Sequence, residues 1–151
     1  MGFNNAEPIS REDAVSRLNE KCPRLLLQDE RVDLAFKSIR DRYYFTSHRV
    51  LIEDKQGVTG KKVEYKSCPY HSIKAFSVET AGSLDADVEL KVYGSGLDIS
   101  IDFDKKKINV FDIQKYLSHH VFADSMEEIL AYNEPAPMVM KEIPLLTFQI
   151  F

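Results

Sequence analysis

From Val32 to Asp104 the hydrophobic positions of the chain recur at every second residue, while before and after that stretch they recur at three- and four-residue steps. The period-two region breaks into seven short runs, each the length of a strand with one apolar face. "VDLAFKSI" sets Val32, Leu34 and Phe36 on one side, and "RYYFT" and "RVLIED" follow around the tight link Ser47-His48. "KKVEYKS" turns Val63 and Tyr65 inward, "SIKAFSVET" does the same with Phe76 and Val78, and "DVELKVY" with Val88, Leu90 and Val92. "LDISIDF" alternates Leu97, Ile99, Ile101 and Phe103 with Asp98, Ser100 and Asp102. The links carry turn chemistry: Gly57 and Gly60 between the third and fourth strands, Gly82 after the fifth, and "GSG" at 94–96.

The flanks read as helices. Ser10 with Asp13 has the spacing of an N-terminal capping box, and Ala14, Val15, Leu18 and Cys22 form a narrow apolar stripe that stops at Pro23. After Asn109, a capping residue, "VFDIQKYLSHHV" places Val110, Ile113, Leu117 and Val121 on one face. Ser125 with Glu128 starts a further short helix, and the chain runs on into "IPLLTFQIF", residues 143–151. Antiparallel strands with one clean apolar face bury it as a sandwich or a barrel, and an amphipathic helix closes one open end. The expected interior is Phe36, Phe76, Val78, Val88, Leu90, Val92, Ile99, Ile101 and Phe103, closed by Ile113 and Leu117.

Several blocks in this region also resemble the bacterial pleckstrin-homology family. They are Phe-Thr-Ser-His-Arg at 45–49, the Asp54–Lys62 turn with its two glycines and paired lysines, Pro-Tyr at 69–70 before Ile73, and Glu-Thr-Ala-Gly at 79–82. The resemblance covers residues 25–121. It implies a mainly β, pleckstrin-homology-like seven-stranded antiparallel barrel (4+3 strands) capped by a C-terminal α-helix, a tendency to self-assemble into rings, and no enzymatic activity or cofactor. The chain then divides into an N-terminal helical extension (1–24), the barrel with its capping helix (25–122), and a short helix with an apolar tail (123–151).

At 151 residues the chain is long enough for one domain with a core of its own. Two lone cysteines, no leader pattern and no apolar run of membrane-spanning length lead to the expectation of a soluble, cytoplasmic protein without a disulfide. A net charge of −4 argues against nucleic acid as a partner, so any anion site is local.

Two groups of residues are candidates for binding. Lys37, Arg40 and Arg42 at the first hairpin, with Lys55, Lys61 and Lys62 at the second, can offer charge-assisted bonds to a phosphate, which makes a peripheral binder of anionic phospholipid head groups the second functional reading. Asp33 and Asp41 nearby give those letters a plain reading as a solvated hairpin. Leu145, Leu146, Phe148, Ile150 and Phe151 form the other group, an uncharged run that needs cover and suits an oligomer contact. His119 and His120 are adjacent on a helix and diverge, so they do not chelate together, and no metal site is expected. Ser47-His48 offers the letters of a catalytic pair, but sequence neighbours seldom point at each other. The first functional reading is therefore a non-enzymatic interaction and assembly module that forms a homo-oligomer with itself or joins a protein partner.

Overall fold

The computed structural model describes residues 5–80, 82 and 87–123. The chain divides into two units, Met1–His120 and Val121–Phe151, and the architecture below belongs to the first. All seven expected strands are present, at Val32–Lys37 (β2), Asp41–Thr46 (β3), Arg49–Gln56 (β4), Lys62–Pro69 (β5), Ile73–Glu79 (β6), Asp87–Gly94 (β7) and Leu97–Asp104 (β8). A strand of two residues, Glu7–Pro8 (β1), precedes them and pairs with β2, Glu7 opposite Lys37 and Pro8 opposite Phe36. The sheets are therefore five- and three-stranded, in the orders β1-β2-β3-β4-β5 and β6-β7-β8, rather than four and three. All pairing within them is antiparallel. A single parallel bridge, Ala6 to Phe103 with the Ala6 amide donating to the Asp102 carbonyl at 2.7 Å, joins the two sheets at one corner.

The helices form where their caps place them. Helix α1 spans Arg11–Lys21, and the Ser10 hydroxyl accepts from the Asp13 amide at 3.1 Å. Helix α2 spans Val110–Val121, and the Asn109 side chain accepts from the Phe111 amide at 3.1 Å. The β7–β8 hairpin turns on Ser95 and Gly96; Gly96 has φ 79°, a left-handed angle that a side chain resists, so the two-residue turn needs glycine there.

The core lies between the sheets and under α2. Phe36, Leu90, Val92, Ile99, Ile101, Phe103, Ile113 and Leu117 are buried there as expected. Phe76 and Val78 of β6 are only half-buried, and Ile73 is the one residue of that strand that is buried. The larger departure is in β3 and β4, where Tyr43–Thr46 and Val50–Glu53 are buried without alternation. Helix α1 covers the outer face of this sheet, packing Ala14 and Leu18 onto Val32, Ala35, Tyr44 and Leu51, so both faces are out of water. The short helix expected from Ser125 and the tail at 143–151 lie outside the described residues.

Candidate functional site

Three polar networks tie the first sheet together, and they account for several of the sequence blocks. Glu30, on the loop before β2, takes both prongs of the Arg49 guanidinium at 2.8 and 2.9 Å, the Thr46 hydroxyl at 2.6 Å and the Leu27 amide at 3.1 Å. The Thr46 oxygen in turn accepts from the amides of His48 and Arg49, both at 3.0 Å, which shapes the β3–β4 turn. Tyr70, from the Pro-Tyr pair that ends β5, donates its hydroxyl to the Thr46 carbonyl at 2.7 Å. Phe-Thr-Ser-His-Arg and Pro-Tyr are thus two halves of one fastening, and their residue types are those that fastening needs.

Burial alone would raise the pKa of Glu30. The bonds from Arg49, Thr46 and the Leu27 amide outweigh it and hold the carboxyl at about 2, against an ordinary 4.5. A carboxylate whose folded pKa is depressed contributes stability that is whole above its unfolded value and fades as pH falls toward the folded one. Resistance to urea should therefore decline from about pH 4.5 toward pH 2, and E30Q should flatten that decline while lowering stability at neutral pH. An E30Q profile parallel to the parent's would show that Glu30 does not set the acid limb.

The second network lies under α1. Glu53 is 1% exposed and receives Arg17 of α1 at 2.7 Å and the Tyr44 hydroxyl at 3.0 Å, with the Arg42 Nε 4.0 Å away. Cross-strand register sets Glu7, Lys37, Arg42, Glu53 and Tyr65 in one rung across the five strands. The third network runs along α2: Tyr116 reaches Asp33 and the Thr46 carbonyl, both at 2.8 Å, and its ring stacks on His120 at 4.2 Å. Burial, together with the neighbouring Tyr70 and Asp33, pushes the Tyr116 pKa far up, so its hydroxyl stays protonated and structural. Burial also lowers the pKa of His120, and the Tyr116 carbonyl beside its ring offsets this only in part.

The six cations singled out in the sequence all fall at the end of the first sheet where the β2–β3 and β4–β5 turns lie. They do not form one open cradle. Arg40 donates one guanidinium nitrogen to the carbonyls of Lys55, at 3.3 Å, and Gly57, which ties the two turns together. Arg42 faces Glu53. Lys37, Lys55, Lys61 and Lys62 make no ion pair with any described residue. Between the Lys37–Arg42 rung and the turns, Asp41 stands directly opposite Asp54, which Lys66 holds at 3.0 Å. Burial and the Asp54 charge raise the pKa of Asp41.

Ser47 and His48 do meet, the hydroxyl 2.9 Å from the ring Nδ1, with Asp29 3.8 Å from Nε2. Ser47 Oγ already accepts the Arg31 amide at 2.9 Å, and the Asp29 carboxylate is 81% exposed, so nothing there holds a base against a nucleophile out of water. A groove of about 870 Å³ runs between α1 and residues 26–32, with Val15, Leu26, Leu27 and Val32 along it and Arg11 and Arg31 at its rim. On the second sheet, Glu79, Glu89 and Asp102 share one rung and Asp87 and Asp104 another. Burial and these neighbouring carboxylates raise the pKa of Asp102.

Two antiparallel sheets, closed by a C-terminal helix and fastened by buried polar networks, make a pleckstrin-homology-like domain. The chain belongs to the bacterial PH domain family, whose model matches residues 4–121. It is 44% identical over 126 residues to the uncharacterized protein YjqA of Bacillus subtilis, covering 78% of this chain and 97% of that one. Among solved structures, it is similar to a DUF1696 family protein with a pleckstrin-homology domain from Shewanella loihica PV-4, with a TM-score of 0.64 and 38% identity over 78% of this chain and 98% of that one. A PH-domain-containing protein from Exiguobacterium sibiricum 255-15 gives a TM-score of 0.66 at 25% identity, covering 95% of this chain and 78% of that one. No helix among the described residues is long and apolar enough to cross a membrane.

Proposed function

We propose that the chain is a non-enzymatic interaction module that assembles with copies of itself. The observation that carries this reading is the outer edge of β5. Eight residues, Lys62–Pro69, pair with β4 on one side and with no strand on the other among the described residues. A strand of that length with free backbone donors and acceptors is a template for an added strand unless something covers it. The apolar run of a second copy supplies one: Phe148 and Ile150 alternate with Thr147 and Gln149, and Leu145, Leu146 and Phe151 extend the apolar surface. The polar networks support the non-enzymatic part, since their ionisable groups are tied to one another and fasten the sheet.

Light scattering on a column eluate should give a mass that is a multiple of 17.4 kDa, and deletion of residues 143–151 should reduce it. A mass of one chain at every concentration into the micromolar range would overturn the assembly. An unchanged multiple after the deletion would keep the assembly and remove the tail from it.

A further inference from the structure

Near the end of α2, three rings gather over one backbone oxygen. The Tyr70 hydroxyl donates to the Thr46 carbonyl at 2.7 Å, and the Tyr116 hydroxyl lies 2.8 Å from the same oxygen, so the turn after β5, the end of β3 and helix α2 meet at one point. His120 is the third ring. It lies one helical turn beyond Tyr116, which puts the two on one face of α2. Its ring stacks on Tyr116 at 4.2 Å and leans on Tyr70 at 4.7 Å, with planes 26° and 41° apart. The ring Nδ1 stands 3.1 Å from the Tyr116 carbonyl, a contact that requires the proton on Nδ1 and leaves Nε2 as the site for a second one. Tyr70 is buried and His120 half-buried. Among the described residues no carboxylate forms an ion pair with the ring: Asp33 is held by Arg31 at 2.7 Å and by Tyr116 at 2.8 Å, and Glu30 by Arg49 at 2.8 Å.

We infer that His120 is a proton-operated latch on the last turn of α2: neutral, its ring is seated on Tyr70 and Tyr116, and protonated at Nε2 it leaves them, uncovering both rings and loosening the end of the helix. The groups that face it set the direction. Burial comes first and lowers its pKa from the ordinary 6.5. His119 on α2 and Arg31 on the loop before β2 act the same way, while the Tyr116 carbonyl and Asp33 of β2 oppose them without prevailing. Tyr70 and Tyr116 stay neutral, because burial pushes their own pKa values far up. Glu30, Asp33 and Cys68 also act on Tyr70, but their partners hold the two carboxyls below the ordinary carboxylate range and burial pushes the thiol up. None of these neighbours therefore changes charge in mild acid. A histidine whose folded pKa is depressed contributes stability that is whole above its unfolded value of 6.5 and is lost as pH falls from there toward the folded one, so mild acid opens the latch. The inference goes beyond the assembly reading and does not rest on it, since it uses the helix end rather than a strand edge.

Proton NMR of the full chain tests it. At neutral pH the His120 ring protons should be displaced upfield by the two tyrosine rings they face. On acidification to about pH 5 they should titrate with a midpoint below 6.5 and lose that displacement as the ring leaves. Amide exchange over residues 117–120, corrected for its intrinsic pH dependence, should quicken over the same range by about tenfold for each pH unit between the measured midpoint and 6.5, because seated and released rings differ by that factor in proton affinity. H120F keeps a ring on the tyrosines with no proton to take up, so its exchange should show no such step. H119Q should keep the step, and its loss there would assign the proton to the neighbour and overturn the inference. A midpoint at or above 6.5, an upfield displacement that survives protonation, or exchange in the parent that does not respond to pH would each overturn it. So would a step in H120F equal to the parent's, and if H120F does not fold, the parent's midpoint, displacement and exchange still decide. Self-assembly is read separately by mass at neutral pH, so either proposal can fail alone.

Discussion

Phe103→Ala is expected to lower the stability of the fold by about 3–5 kcal/mol, the usual cost of emptying a fully buried aromatic site. Phe103 has no solvent exposure, and its ring meets Phe36 edge-on, with centroids 5.1 Å apart and planes at 71°. Phe36 in turn meets Phe45 at 5.9 Å. The Phe103–Phe36 contact crosses from the three-stranded sheet to the five-stranded one, at the corner where Ala6 bridges Phe103, the one backbone bridge between the sheets among the described residues. The cavity would thus open at the join between the sheets, where neither can collapse into it without losing register. Phe76→Ala should cost clearly less, because Phe76 is only half-buried and water can fill the space it leaves. Chemical denaturation of the two variants side by side checks this: equal losses would mean that the wall formed by β6 is as much a part of the core as that formed by β8.

The contrast between those two phenylalanines marks how far the sequence can be read. Period two located all seven long strands, and capping letters located both helices, because these are local properties of a few consecutive side chains. Period two also implies one wet face, and it sorted β7 and β8 correctly, where Val88, Leu90 and Val92 face Phe103, Ile101 and Ile99. It failed for "RYYFT" and "RVLIED". Their continuous burial depends on a helix about thirty residues away in sequence laying Ala14 and Leu18 over the other face. Strand β1 was invisible for a simpler reason: two residues, Glu7 and Pro8, carry no period at all.

The candidate site was legible to the same extent. The six cations were correctly placed at two neighbouring turns, since hairpin order alone sets that. What each cation does there depends on partners that leave no trace in the letters. Arg40 is satisfied by backbone carbonyls, which every residue has, and Arg42 lies 4.0 Å from a glutamate eleven positions on that reads as the polar end of a strand. Glu30 was passed over for a similar reason, because in sequence it is one more acid in a loop, whereas in the fold it gathers Thr46, Arg49 and the Leu27 amide.

Glu53 is the site of the second large expected effect, and the size of that effect depends on which partner is left behind. Its side chain is 2% exposed and that of Arg17 is 26% exposed. Burial by itself would favour the protonated acid, but the bonds from Arg17 and Tyr44 outweigh it and keep the pKa below the ordinary carboxylate value, so at neutral pH the site holds a buried charge. Removing that charge with E53A leaves the Tyr44 hydroxyl without its acceptor and Arg17 without its counter-ion under α1. Breaking a buried pair on one side costs about 3–5 kcal/mol. Because Arg17 is partly exposed and can swing to water, the lower end of that range is expected. E53Q keeps an acceptor for Tyr44 and should lose less. R17M/E53M removes both charges and fills the space, so it should recover most of what E53A loses, as apolar replacements of buried pairs do. Urea denaturation of the four chains gives the comparison. If the double variant were as unstable as E53A, the network would be holding α1 in a register that packing alone does not specify. An E53A loss below about 0.5 kcal/mol, the level of a surface substitution, would mean that α1 is kept on the sheet by Ala14 and Leu18 without help from Glu53.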